Sequence, residues 1–270
     1  MDKGLIDYHV HTKMCRHASG EIHEYIEYAI KKQLSEIGFA DHFPMFYLPE
    51  AVDTTYYCML EEEVPIYIKK IKNMQEKYQD IEIKIATEVD YYTGKEKIIK
   101  NAIKKYDFDY IIGSVHVVDD WCIDDSKNIP IYEKVGIINV YEKYFSALKK
   151  AIESKIFDII GHLDLVKKFG FRPNKNISYL IDPIIESIKK NKVCIELNTS
   201  GDRKPVNEFY PSRHILKKCF ENDIAITIGS DAHKPEEVGW KFNDGLKLLR
   251  EIGYTQIVKF RARKIEFMDI

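Results

Sequence analysis

The sequence predicts an α/β fold, a closed parallel barrel of the TIM type built from seven β-α units instead of eight. Three observations point there. Short apolar runs alternate strictly with amphipathic stretches, and such alternation builds a parallel sheet covered by helices. Seven units occupy about 250 residues, which fits a closed barrel lacking one unit. No Gly/Ser-rich linker, low-complexity stretch or internal repeat divides the chain, so residues 1–270 read as one domain. A doubly wound open sheet is the structural alternative.

The elements follow in order. Leu5–Val10 reads as the first strand. Ile22–Gln33 reads as a helix, because Ile22, Ile26, Ala29 and Ile30 fall on one face. Ile37–Ala40 is a short strand. Val64–Tyr78 is a helix that tolerates Pro65 in its first turn. Then come strand Ile81–Val89, helix Lys95–Tyr106, strand Asp109–Val115 and one long helix over Tyr132–Glu153. The remaining units are strand Phe157–Gly161 with helix Ser178–Lys190, strand Val193–Leu197 with helix Ser212–Asn222, and strand Ile224–Gly229 with helix Trp240–Glu251. Gln256–Phe260 adds a short extra strand. Phe43–Thr55 and Asp119–Pro130 are the expected loops over a site.

Composition narrows the function. The chain has 270 residues, 45% hydrophobic and 31% charged, enough apolar material for a sizeable core. Lys+Arg 41 against Asp+Glu 43 leaves a net charge of -2, which provides no global field for nucleic acid or anionic lipid. No apolar run approaches the roughly 18 residues of a membrane span. Met1-Asp2-Lys3 leads directly into the first strand without a signal-peptide layout. The expected compartment is the cytoplasm. The five cysteines form no C-x-x-C pair and read as reduced thiols, not as a disulfide framework or thiolate zinc site.

The nine histidines carry the chemistry. His9 and His11 end the first strand, and an i, i+2 pair shares one face. Asp41-His42 ends the second strand, Glu88 and Asp90 the third, His116 the fourth and His162 the fifth. Asn198-Thr199-Ser200-Gly201 ends the sixth, and Asp231 with His233 the seventh; His17 lies in the first loop. In a parallel barrel these ends share the rim where active sites form. Any one of these histidines alone reads as an ordinary core residue, and His23 and His214 do so on their helices. Seven at one rim do not. Imidazole and carboxylate without thiolate suit Zn, Fe, Mn or Co. Since one tetrahedral ion uses about four ligands, the pool supports two or three ions, as in a multinuclear hydrolase. Arg203 in the loop after the sixth strand, Arg172 after the fifth and Arg16 in the first loop are the candidate phosphate-binding residues.

Asp7-Tyr8-His9-Val10-His11-Thr12, Phe39-Ala40-Asp41-His42, Gly113-Ser114-Val115-His116, Gly161-His162-Leu163-Asp164 and Ser230-Asp231-Ala232-His233 together resemble the PHP (polymerase and histidinol phosphatase) family. Glu196-Leu197-Asn198-Thr199-Ser200-Gly201 with Arg203-Lys204-Pro205 and Tyr210-Pro211-Ser212 looks like its histidinol-phosphate phosphatase branch. The resemblance spans essentially the whole chain and implies a distorted (β/α)7 barrel with a trinuclear site. Carried over, one ion takes His9, His11, Glu88 and Asp231. A second shares Glu88 and takes His116 and His162. A third takes His17, His42 and His233. The implied activity is hydrolysis of a small phosphate monoester, L-histidinol phosphate, in histidine biosynthesis. Asp231 would orient or deprotonate the attacking water, with Glu88 and His233 also catalytic. Another phosphoesterase on this scaffold, acting on phosphotyrosine or nucleotides, is the alternative; a non-catalytic metal-binding regulatory module is a further one.

Overall fold

The computed structural model describes residues 4–270; the first three, Met1-Asp2-Lys3, lie outside the described residues. Seven strands form one parallel sheet: β1 (Ile6–Val10), β2 (Glu36–Phe39), β3 (Glu82–Asp90), β4 (Tyr110–Ser114), β7 (Ile159–Ile160), β8 (Cys194–Asn198) and β9 (Ile226–Gly229). They neighbour one another in that order. The first and last strands meet through the turn after β9: His11 N donates to Ala232 O at 2.9 Å and Ala232 N to His9 O at 3.2 Å. The result is a nearly closed, distorted (β/α)7 barrel. β5 (Val117–Val118) and β6 (Trp121–Cys122) form a small hairpin beyond β4.

The helices are α1 (Ile22–Lys31), α2 (Val64–Lys77), α3 (Glu96–Ile103), α4 (Ile129–Val135), α5 (Ile137–Glu153), α6 (Ser178–Asn191), α7 (Arg213–Glu221) and α8 (Phe242–Ile252). All but the short α4 bury an apolar stripe, as Tyr25, Ile26 and Ala29 do in α1. Among the described residues, no helix is long and apolar enough to cross a membrane. The five cysteines are free thiols.

Two sequence expectations need correction. The single helix over Tyr132–Glu153 is two helices, because Gly136 sits between them at φ 86°, ψ 131°, a conformation outside the helical region that glycine adopts at little cost. The short strand at Gln256–Phe260 is half of an antiparallel hairpin, β10 (Gln256–Arg261) with β11 (Lys264–Asp269). This hairpin lies under the N-terminal end of the barrel. Lys259 Nζ bonds Glu36 Oε1 at 2.8 Å, and Arg263 N donates to Asp109 O at 2.7 Å; both partners sit at strand starts.

The ladder between β1 and β2 slips between Asp7 and Val10. A bulge of this kind re-aims side chains. Tyr8 stacks on Tyr110 of β4 at 4.6 Å, while His9 reaches Glu196 of β8 at 2.7 Å. Neither β4 nor β8 neighbours β1, so both contacts pass through the barrel interior. Gly38 is required by this packing: a Cβ there would lie 1.7 Å from Tyr110 Oη.

Candidate metal centre and active-site pocket

The strand ends at the C-terminal rim converge on a cavity of about 560 Å³. Glu88 is its hub. The chain after β2 runs beside β3, with Glu88 N donating to Asp41 O at 3.1 Å and Phe43 N to Glu88 O at 2.7 Å. This sets the Glu88 carboxylate, 1% exposed, among five imidazoles. Its Oε2 lies 3.4 Å from His9 Nε2, 3.5 Å from His11 Nε2 and 3.1 Å from His42 Nδ1. Its Oε1 lies 3.0 Å from His162 Nε2 and 3.6 Å from His116 Nε2, and accepts from Ser114 Oγ at 2.5 Å. The two oxygens thus face two different sets of histidines.

Asp231 Oδ1 lies 3.4 Å from His11 Nε2 and 4.0 Å from His9 Nε2. Its Oδ2 accepts from Ser200 Oγ at 3.1 Å and Asn198 Nδ2 at 3.3 Å. His17 and His233 face each other with Nε2 atoms 2.9 Å apart, and His17, His42 and His233 offer ring nitrogens to one point. Two of these positions carry left-handed backbone, His162 at φ 21° and Asp231 at φ 51°. Side chains rarely accept that conformation outside sites that need it.

The donor chemistry fits divalent metal. His9 Nε2, His11 Nδ1 and Nε2, His42 Nδ1 and His162 Nδ1 are buried without a hydrogen-bond partner among the described residues. His42 Nδ1 is near Glu88 but out of line for a hydrogen bond. Each orphaned polar atom costs about 1–3 kcal/mol, a cost that coordination removes at the one nitrogen of each ring that ligates. Burial drives His11 and His233 down to about 3 and His42 well below the usual imidazole range; these rings are neutral, as ligation requires. Burial acts the same way on His9 and His116, but carboxylates outweigh it. Glu196, Asp231 and Glu88 hold His9 well above its usual value, and Asp90, Glu88 and Asp124 lift His116 to about 10. Ligation at these two rings therefore releases a proton. Burial raises Glu88 and Asp231, yet the surrounding imidazoles prevail and keep both carboxylates ionised.

A second layer orients the rings. Glu196 Oε1 lies 2.7 Å from His9 Nδ1, and Asp90 Oδ1 lies 2.9 Å from His116 Nδ1. Each carboxylate turns the opposite nitrogen into the pocket. Gly229 makes room for the first pair: a Cβ there would fall 2.1 Å from Glu196 Oε1. Asp41, which burial pushes up to about 7, accepts from Thr12 N at 2.5 Å and ties the first loop to β2. Glu196 escaped the sequence reading, although the strand period placing it on the face of Asn198 was a usable signal.

The three arginines do not line the pocket. Arg16 pairs with Glu63 on the surface, and Arg172 donates to Glu208 at 2.6 Å. Arg203 donates to the carbonyls of Ser230 and Asp231, 3.0 Å each, and so braces the turn that carries Asp231. The cations that do line the pocket are Lys168, Lys204 and Lys234. The loops expected over the site are in place: Met45, Val52 and Thr54 from one and Cys122, Asp124, Asp125 and Ser126 from the other line the cavity. Tyr57 Oη joins the two regions by donating to Asp125 Oδ2 at 2.9 Å.

Comparison with known proteins agrees with this geometry. A family model described as the PHP domain matches residues 7–200. A probable histidinol-phosphatase of Deinococcus radiodurans is 36% identical, covering 97% of this chain and 99% of its own. The histidinol-phosphatase of Bacillus subtilis is 28% identical over 87% of this chain and 96% of its own. The histidinol phosphate phosphatase of Lactococcus lactis, solved with zinc, L-histidinol and phosphate, superposes with a TM-score of 0.84 at 23% identity, covering 98% of this chain and 100% of that one; this shows the same fold. The chain belongs to the PHP family, in its histidinol-phosphatase branch.

Proposed function

We propose that this chain, as a single domain, is a metal-dependent phosphatase that hydrolyses L-histidinol phosphate to L-histidinol and phosphate in histidine biosynthesis, in the cytoplasm. The observation that carries the reading is the convergence of Glu88, Asp231 and five histidines on one cavity, with His9 and His11 buried beside those two carboxylates, in a chain whose relatives include histidinol-phosphatases.

Three divalent ions, drawn from Zn, Fe, Mn or Co, would be held as follows. His9, His11, Glu88 and Asp231 hold the first; Glu88, His116 and His162 the second; His17, His42 and His233 the third. The split of Glu88, Oε2 toward His9 and His11 and Oε1 toward His116 and His162, supports a bridging role. Bound divalent metal supplies charge for the phosphate dianion and lowers the pKa of water.

The side chains do the rest. Asp231, fixed by Ser200 and Asn198, orients the attacking water and accepts its proton. Glu196 and Asp90 keep the Nδ1 protons of His9 and His116 on the far side of the rings. The cavity admits a small-molecule ester, and a net charge of -2 gives no support for a nucleic-acid partner.

The test is phosphate release from L-histidinol phosphate, measured beside a phosphotyrosine peptide and a nucleotide, before and after chelation. The expected result is a preference for histidinol phosphate in kcat/KM and loss of turnover on metal removal. Full activity in metal-stripped protein refutes the metal dependence; preference for either competitor refutes the substrate.

A further inference from the structure

The three lysines that line the cavity differ in what holds them. Lys168 is engaged, with Nζ 3.0 Å from Asp124 Oδ2 and 2.8 Å from the Asp124 carbonyl. Lys234 is exposed. Lys204 is half-buried against the cavity, and no carboxylate or carbonyl takes its ammonium among the described residues. Burial disfavours that charge, Lys168 adds to the cost, and Asp231 only partly offsets it. A desolvated cation without a counter-ion calls for an anion from outside the chain.

A second donor lies in the same segment. Tyr210 lines the cavity, and its ring is wholly buried, edge-on to His162 at 6.4 Å and under the Lys167 ammonium at 5.3 Å. Its hydroxyl is buried with no hydrogen-bond partner among the described residues. Buried tyrosine hydroxyls normally find an acceptor. The segment between β8 and α7 bends back on itself, since Tyr210 N donates to Asn198 O and Asn198 N to Tyr210 O. Arg203 and Lys204 are adjacent in that segment but divide the work. Arg203 Nη2 braces the carbonyls of Ser230 and Asp231, with Nη1 buried and unpartnered among the described residues, while Lys204 lines the cavity.

We propose that Lys204 and Tyr210 form the donor wall that receives the phosphate group, with the Lys204 ammonium and the Tyr210 hydroxyl each bonding a phosphoryl oxygen. This rests on reading the cavity as a phosphomonoesterase site. Tetrahedral phosphate presents oxygens on several sides, so it can face the carboxylate–imidazole cluster and this wall together. An ammonium and a hydroxyl both donate, and both await an acceptor.

Inorganic phosphate is the probe, titrated calorimetrically into metal-loaded wild type, K204Q, K204R and Y210F, with metal content measured on each sample. K204Q is expected to weaken phosphate binding by roughly ten-fold or more, the scale of one charge-assisted hydrogen bond. K204R should restore most of it, and Y210F should weaken binding to a smaller but measurable extent. Metal content should match wild type in all three. With histidinol phosphate, K204Q should raise KM more than it lowers kcat. Unchanged phosphate affinity in K204Q or in Y210F overturns the donor wall. Weakened affinity that tracks lost metal overturns it too, because the effect is then structural. If phosphate binding depends on both residues while histidinol phosphate is not turned over, the donor wall stands and the substrate assignment falls.

Discussion

At the N-terminal end of the barrel, Tyr8 donates to Glu36 and Lys259 reaches the same carboxylate at 2.8 Å. Arg263 forks onto Asp158 at 2.8 and 3.1 Å and also bonds the Ile156 carbonyl at 2.8 Å. The buried ionisable groups at that end have partners within the chain. At the C-terminal end, Glu88 and the imidazoles around it are buried too, yet five ring nitrogens of His9, His11, His42 and His162 have no hydrogen-bond partner among the described residues. The same strands run through both ends, so strand propensity does not distinguish them. What differs is whether the polar groups satisfy one another. A satisfied network rigidifies the barrel, while an unsatisfied one is costly until something binds it. One end therefore serves stability and the other binding.

Substitutions at the two ends should separate these roles. The largest effect is expected at Glu88. Glu88→Gln removes the carboxylate whose two oxygens face His9, His11 and His42 on one side and His116 and His162 on the other. Losing a partner behind a ligand already costs roughly 10–100-fold, so kcat/KM should fall by at least about 100-fold, with metal content reduced. The loss should exceed that from replacing His17, His42 or His233 singly. Wild-type activity and metal content in Glu88→Gln would remove Glu88 from the hub of the site.

Glu196→Gln comes next and sharpens the contrast, because Glu196 touches no open part of the cavity. Its carboxylate acts through His9 Nδ1 at 2.7 Å. Metal affinity or activity should drop by roughly 10–100-fold, while the protein stays folded by circular dichroism. An unchanged metal-binding isotherm would make the Glu196–His9 pair purely structural.

The smallest effect on activity is expected at the opposite end. Arg263→Ala leaves Asp158, 13% exposed at its side chain, without its guanidinium. Burial already raises the Asp158 carboxyl against the pull of Arg263. Denaturant unfolding should show a loss of about 1–3 kcal/mol, with kcat/KM unchanged within assay error. A fall in kcat/KM without a fall in stability would mean that the two ends are coupled and do not divide stability from binding.

The sequence by itself determined the βα alternation, and with it the rim where His9, His11, His42, Glu88, His116, His162, Asp231 and His233 meet. Strand and helix periods are local, and a parallel barrel turns every strand end toward one rim. The break at Gly136 and the antiparallel partner of Gln256–Arg261 were not legible, because a single glycine and a terminal strand are ambiguous until their packing is known. The fate of individual cations was also decided only by the tertiary structure. Arg16, Arg172 and Arg203 carry the right chemistry for phosphate, but Glu63 and Glu208 pair with the first two, the carbonyls of Ser230 and Asp231 hold Nη2 of the third, and none lines the cavity. Lys204, one residue from Arg203, lines the cavity instead. Sequence spacing places a residue in a loop, but which neighbours satisfy its charge depends on contacts between strands far apart in the chain. Among the described residues those contacts leave Lys204 and the Tyr210 hydroxyl unpaired in the cavity that Asp231 and His162 also line, and they bring Glu196 to His9 across 187 residues of sequence.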